Sequence, residues 1–362
     1  IVSPGGVGYD INCGVRLLAS SVDAEEIEDY VGDLATRLYE NCPSGVGRDG
    51  AVSLSWAEID RVLEQGAEWA ETQGYGDEDD LLATESSGRL PGARENAVPD
   101  RAKERGRPQL GSLGSGNHFL EIDVVDQVFD GAVADSFGLS VGRVAVQIHC
   151  GSRGLGHEVC KQYLQRLQGA QGKFGIPYPD RELISVPLHS DEGQDYLAAM
   201  AGAANYAFAN RQVLAHYARR SFEEVLAGHV NDWSLRQIYD VAHNVAKIEK
   251  HQIDGKMKEL IVHRKGATRA FPPGHPDLPE IYQESGQPVL VPGSMGTASY
   301  VLAGVDTGME RAFGSSCHGA GRTMSRRSAT RKERGENVRQ RLQQEGITIR
   351  ARSMRGLAEE AP

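Results

Sequence analysis

The sequence predicts an α+β fold, a single large domain in which a complex mixed sheet is surrounded by helices. Segments with helical periodicity and segments with strand-like composition alternate irregularly, with no uniform βαβ unit and no internal repeat. The 362 residues, 40% of them hydrophobic, suffice for a sizeable buried core.

Ser55-Trp56-Ala57-Glu58 has the form of a capping box, in which the serine hydroxyl and the glutamate carboxylate satisfy free amides of a first helical turn. Ile59, Val62, Leu63 and Ala70 follow at helical spacing, and Gly74 is the expected stop. Residues 74–108 are rich in Gly, Pro and charge without periodicity and are expected to form a long surface loop. A second helix is expected over 195–226, broken or bent near its middle, and a polar, basic third over 328–344. Strand-like runs occupy 118–125, 143–149, 259–263 and 299–305.

The longest apolar runs, such as Leu197 to Ala204, are too short to cross a bilayer, so no membrane association is expected. No charged n-region followed by an apolar h-region opens the chain. The five cysteines (Cys13, Cys42, Cys150, Cys160 and Cys317) are odd in number and scattered, which fits free thiols in a reducing compartment and a cytoplasmic location. Cys150 follows His149 and Cys317 precedes His318, which points to metal or site chemistry. The net charge of −11 excludes a protein that binds nucleic acid with its whole surface. From Arg322 to Arg355, however, ten arginines and one lysine stand against three glutamates. Such a stretch fits a polyanionic substrate held on one face, and equally a solvated helix face.

Asp10 and Cys13 lie in a glycine-rich segment, SPGGVGYDINCG (3–14), whose tight turns would aim a carboxylate and a thiolate at one point. An oxygen and a sulfur ligand suit a borderline divalent metal, though the spacing also fits a turn aspartate and a buried cysteine. His118 follows Gly-Ser-Gly-Asn117 and precedes Glu121 by three. His149 ends an apolar run and leads into Cys-Gly-Ser-Arg153-Gly, the form of a ligand beside an anion-binding turn. His243 lies in AHNVAK. Each histidine alone fits an ordinary core position; three in such contexts, with Asp10 and Cys13, suit a two-metal site. Two further segments suit a nucleotide. PGSMGTAS (292–299) offers free amides and hydroxyls, and SCHGAGR (316–322) sets His318 among small residues with Arg322 four positions on.

Taken together, the stretches SPGGVGYDINCGVRLL (3–18), QLGSLGSGNHFLEI (109–122), HCGSRGLGH (149–157), HNVAKIEKH (243–251), VPGSMGTASYVL (291–302) and CHGAGRTMSR (317–326) resemble the RtcB family of tRNA-splicing RNA ligases. The resemblance covers residues 1–362 as one catalytic domain. It implies a segment before the first motif, and beyond Pro362 an aromatic residue and a terminal lysine that contact guanine. By it, Asp10, Cys13, His118, His149 and His243 hold two Mn²⁺ ions, with Cys13 bridging, and His318 is the nucleophile that becomes guanylated. Asn117, His118, Glu121, Ser294, Ser299, His318, Gly319, Ala320 and Gly321 match positions around the guanosine nucleotide. Arg153, Lys265, Arg322 and Arg326 match basic positions near RNA phosphates.

The activity so implied is GTP- and manganese-dependent joining of RNA 3′-phosphate or 2′,3′-cyclic phosphate ends to 5′-hydroxyl ends, as in tRNA splicing and RNA repair. The partners implied are such RNA ends (tRNA halves among them), GTP and the accessory protein archease. The ligand set by itself also suits Zn²⁺, Co²⁺ or Fe²⁺. It also suits a dinuclear phosphoesterase that hydrolyses RNA phosphates without ligation, for which His318 has no use. A pure RNA-end binder, gripping through its basic face, would need neither the metal set nor His318.

Overall fold

The computed structural model describes residues 1–45, 47–178 and 180–360, so Ala361 and Pro362 lie outside the described residues. Its ladders are antiparallel. β1 (Gly14–Asp23), β2 (Phe119–Val124), β3 (Arg143–Cys150) and β4 (Arg236–Ala242) form a four-stranded sheet in the order β2-β3-β1-β4. Around it stand three two-stranded ladders. β5 (Asn244–Ile253) pairs with β6 (Lys256–Lys265), β7 (Ala267–Arg269) with β10 (Ser315–Cys317), and β8 (Pro288–Val291) with β9 (Tyr300–Ala303). The α+β expectation holds, although the ladders are antiparallel and do not form the mixed sheet expected, and the four strand-like runs coincide with β2, β3, part of β6 and β9.

β1 was not foreseen because Val15 to Ala19 is buried on both faces and so lacks alternation. One face of the sheet, through Leu18, Val22, Val146 and Ile148, packs on Leu214, Ala218 and Phe222. The other, through Val15, Leu17 and Ala145, packs on Tyr282 and Leu290. Leu214, Ala218 and Phe222 belong to the Asp191–Leu226 helix, which runs 36 residues without the expected break. Its run of alanines permits close packing over its whole length, and Ser190 caps it by accepting from the Gly193 amide at 3.1 Å. No helix among the described residues is long and apolar enough to cross a membrane.

Other expectations are corrected. The capping box at Ser55 and Glu58 is present, but the Trp56–Gln65 helix stops at Gly66, not Gly74. Gly66 has φ +62°, and a side chain there would collide with the Gly88 carbonyl, so the chain turns and resumes as Ala67–Thr72. Residues 74–108 are no surface loop. Asp77 caps a Glu78–Leu82 helix, Asp100–Gly106 forms another, and Glu85 and Val98 are buried between them. The basic segment splits into Arg326–Lys332 and Gly335–Gln344, which lets Val338 and Leu342 pack on Leu357. Arg153–Phe174 is a helix that the glycines of its first turn concealed.

Candidate functional site

In an antiparallel sheet, alternate strands begin and end on the same rim. β1 and β2 begin where β3 and β4 end, as the pairings Gly14↔Cys150, Gly14↔Ala242 and Phe119↔His149 establish. Cys13 precedes β1, His118 precedes β2, His149 lies at the end of β3 and His243 follows β4. Neighbouring strands lie only about 4.8 Å apart, so four residues distant in sequence meet on one rim.

The donor atoms converge. Cys13 Sγ lies 3.3 Å from both His118 Nε2 and His149 Nε2. His149 Nε2 and His243 Nε2 are 3.2 Å apart, and Asp10 Oδ2 is 2.8 Å from His118 Nε2. Two triads result, Cys13–His149–His243 and Asp10–Cys13–His118, each with its donors within 4.8 Å of one another and both including Cys13. Neighbours orient them. His118 Nδ1 contacts the Leu113 carbonyl at 2.8 Å, which fixes the ring and turns Nε2 toward Asp10. The Ser152 amide donates to Asp10 Oδ1, and the Asn244 side chain donates to the Asp10 carbonyl, each at 3.1 Å.

Burial opposes charge throughout the cluster. It pushes the Cys13 thiol up to about 12, with the Asp10 carboxylate adding to the effect. Burial and the neighbouring His118 depress His149, and burial and His149 depress His243, so both are neutral imidazoles with lone pairs to offer. His118 differs: burial would lower it, but Cys13 and Asp10 outweigh that and raise it well above the ordinary histidine value. For Asp10, too, burial is outweighed, by His118 and Arg153, and its carboxyl is held below the usual range. The proton on His118 thus lies between donors that a divalent cation would bridge.

His318 follows β10, whose Cys317 pairs with Ala267, and its ring centroid lies 4.9 Å from that of His243. It adjoins the cluster from which the sequence left it 75 residues away. Burial lowers its pKa, so it too is neutral near pH 7. The Ala320 amide donates to the Pro292 carbonyl at 3.0 Å, tying the His318–Gly321 turn to the 292–299 loop. In that loop three amides are engaged, Gly293 donating to Ser299 Oγ, Ser294 to Thr297 Oγ1 and Thr297 to the Ser294 carbonyl, while those of Met295, Gly296 and Ala298 make no hydrogen bond among the described residues. Ser299 Oγ reaches Glu121 Oε1 at 3.4 Å. Asn117 is exposed on the loop leading to His118.

The four basic positions divide. Arg153 (φ +56°) donates to Ser112 Oγ, and its Nη1 lies 3.4 Å from His118 Nδ1. Its guanidinium fills the space a side chain at Gly114 would need, and Arg326 likewise lies over Gly116. Both therefore flank the loop carrying Asn117 and His118. Lys265 donates to the Gly5 carbonyl at 2.9 Å, while Arg322 turns to the Glu359 carbonyl. Cys150, singled out for its neighbour His149, is a core thiol directed at the Ser112 and Leu113 carbonyls.

The cluster also rests on residues that no local motif announces. Arg211 donates to the carbonyls of Asn12 and Cys150, each at 2.8 Å, bracing the residues beside Cys13 and His149. It is paired in turn with Asp240. A run of Asn210, Arg211 and Gln212 inside an apolar helix was the available signal, since such groups are buried only when partnered.

The chain matches, over residues 1–362, the family described as tRNA-splicing ligase RtcB. It is 55% identical to the tRNA-splicing ligase RtcB of Thermococcus kodakarensis and 54% identical to that of Archaeoglobus fulgidus. In both cases the match covers all of this chain and 75% of the relative. It is 56% identical to the Pyrococcus abyssi protein of the same name over 97% of this chain, which spans only 38% of that relative.

Proposed function

Because the chain belongs to the RtcB tRNA-splicing ligase family, we infer that it joins RNA 3′-phosphate or 2′,3′-cyclic phosphate ends to 5′-hydroxyl ends, using GTP and divalent manganese. The observation that carries this reading is the approach of His318 to the rim cluster, 4.9 Å between its ring centre and that of His243.

The cluster's residues fit a pair of divalent cations. Sulfur, nitrogen and carboxylate donors converge with Cys13 common to both triads, and two neutral imidazoles face each other through Nε2. Asp10, Cys13 and His118 would hold one ion and Cys13, His149 and His243 the other. Bound there, the ions would supply positive charge where nucleotide and RNA phosphates crowd. Manganese itself enters from the family, since the donor set serves several metals.

The chain's own residues account for the rest. Neutral His318 uses its lone pair to attack the α-phosphorus of GTP, forming a nitrogen–phosphorus bond as pyrophosphate leaves. The resulting histidine–GMP passes GMP to an RNA 3′-phosphate oxygen and regenerates the imidazole. The 5′-hydroxyl of the second RNA attacks the activated phosphate, losing its proton to solvent, and GMP departs. A cyclic phosphate would first be opened by water. Asn117, Glu121, Ser294, Ser299 and the turn from His318 to Gly321 would hold the guanosine nucleotide. Arg153 and Arg326, with Lys265 and Arg322, would bind RNA phosphates.

Incubating the protein with α-labelled GTP and Mn²⁺ should label the wild type and not His318→Ala. Label retained in the variant would overturn the nucleophile. Ligation of 3′-phosphate to 5′-hydroxyl RNA, with and without archease, tests the complete activity. Turnover of RNA phosphates without GTP would favour hydrolysis instead.

A further inference from the structure

We propose that Asp123 is a specificity-determining partner of Glu121: the two carboxylates share one proton in the nucleotide-free protein, and a guanine base expels it to solvent on binding, so nucleotide capture and base choice depend on pH. This rests on the reading of Glu121 as a contact of the guanosine nucleotide.

Glu121 and Asp123 are two residues apart on β2 and therefore project from the same face. The residues between and before them, Ile122 and Leu120, pack into the core on the opposite face. The carboxylate face turns toward Ser299, which donates to Glu121 at 3.4 Å, and toward Gln147 on β3, whose Nε2 donates to Asp123 Oδ2 at 3.5 Å. The pair thus joins the hydrogen-bond chain from Ser299 to Gly293, and through the Pro292 carbonyl to the turn after His318.

Among the described residues, no cation compensates the pair. The facing segment 288–303 contains no Asp, Glu, Lys, Arg or His, and Tyr300 is its one titratable side chain. On β3, Arg143 at the far end pairs with Asp23 at 3.2 Å, and His149 stands opposite Phe119 as a neutral imidazole. Two half-buried carboxylates without a cation cannot both ionise cheaply. Burial and then repulsion from Asp123 push Glu121 up to about 8, while burial raises Asp123 only to about 6. The pair therefore retains one proton near neutral pH, drawn toward the more strongly raised Glu121.

Guanine presents two adjacent donors, N1–H and the exocyclic amine, and an ionised carboxylate accepts both. A protonated carboxyl offers one acceptor and one donor, which suits adenine, with its N1 acceptor and exocyclic amine. Gln147 Oε1, opposite Glu121 in the ladder, is buried without a donor, so the surroundings also call for N–H groups. Loss of the Glu121 proton to solvent thus accompanies guanine binding, and adenine is rejected more strongly as pH rises.

The test is calorimetric binding of GMP and AMP between pH 6 and 9, in buffers of differing ionisation enthalpy, to the wild type, Asp123→Asn and Glu121→Gln. The phosphate titration of the ligand is common to all three proteins and cancels. At pH 7 the wild type should release more protons than Asp123→Asn, whose Glu121 loses the repulsion but keeps the burial. The variant should bind GMP more tightly at pH 6.5, by about tenfold for each unit its Glu121 falls. A damaged pocket would only bind more weakly. The GMP-to-AMP preference should rise with pH in the wild type and be flat in Glu121→Gln.

Equal proton release in wild type and Asp123→Asn, or uniformly weaker binding in that variant, overturns the proposal. The carbon-13 carboxyl resonance of Glu121, assigned by its absence in Glu121→Gln, supplies a readout on the unliganded wild type. Titration near neutrality supports the shared proton, and titration below pH 6 overturns it. Failure of labelled GTP to modify the wild type would instead sink the ligase reading and leave the carboxyl titration to judge the pair.

Discussion

Replacing Asp240 with asparagine tests how the rim of the sheet is braced. Asp240 accepts from Arg16 Nε at 2.8 Å and from Arg211 Nε and Nη2 at 2.8 to 3.0 Å, and all three side chains are fully buried. The asparagine side chain would be isosteric but neutral, leaving two buried guanidinium groups without the carboxylate between them and turning an amide N–H₂ toward one of them. Breaking a buried ion pair from one side costs about 3–5 kcal/mol, a large share of a total stability of roughly 5–15 kcal/mol. At the roughly 2–4 °C per kcal/mol typical of large domains, with this chain at the lower end, the melting temperature should fall by about 6–10 °C. Because Arg211 also holds the Asn12 and Cys150 carbonyls, divalent metal affinity should drop with it, by about 10–100-fold. Urea unfolding and calorimetry measure the first effect, and titration with Mn²⁺ the second. Arg89→Ala, which breaks the exposed pair with Glu68, is the control and should change stability by less than about 1 kcal/mol. An Asp240→Asn protein within about 1 kcal/mol of wild type, well short of the cost of a broken buried pair, or one with unchanged metal affinity, would refute the bracing role.

Cys13, inside the cluster, and Cys150, beside it in the core, should separate cleanly. Cys13→Ser should abolish metal binding and guanylation, whereas Cys150→Ser should retain both and lose only stability, as metal analysis of the purified variants would reveal. Glu85 is fully buried against Lys247 and near Arg269; burial alone would raise its pKa, but these cations outweigh that and hold it down to about 2. Since its folded value lies below its unfolded value of about 4.5, its contribution of up to about 3 kcal/mol is complete above about pH 4.5 and disappears as pH falls toward about 2. Unfolding free energies measured from pH 2 to 6 should accordingly show a shallower acid limb in Glu85→Gln. Ser55→Ala removes one half of a capping box on an exposed helix start and should cost about 1 kcal/mol, read from denaturation midpoints. A change below about 0.3 kcal/mol, under the range found for lost caps, would count against this one.

Much of the site could be read from several motifs taken together, since each thiol, carboxylate or imidazole alone also fits an ordinary core or turn position and only the set, with the family resemblance, points to one cluster. Asp10, Cys13, His118, His149 and His243 do meet, and His318 does join them. The supporting layer was less legible. Asp240, Arg211 and Asn244 act through geometry created by long-range strand pairing, and no local spacing announces a partner two hundred residues away. The same holds for the fold. The Ser55 cap and the alternating strands express local rules, while β1, with both faces covered, and the unbroken Asp191–Leu226 helix follow from the packing around them. Residues 74–108 looked like a surface loop because they are rich in Gly, Pro and charge without periodicity, yet their charges find distant partners. Arg219 answers Asp80 from the long helix, 139 positions on, and Lys247 answers Glu85 from β5.

Recruiting donors from four strand ends ties ion capture to completion of the sheet. Residues 13, 118, 149 and 243 become neighbours only after loops of dozens of residues have closed, a slow and entropically costly step. An unfolded chain therefore has no preformed chelate, and an ion bound at the finished rim would act as a clasp. At about a hundred times its dissociation constant it would add about 2.7 kcal/mol to the folded state, and a chelator would lower the thermal transition without touching a single covalent bond.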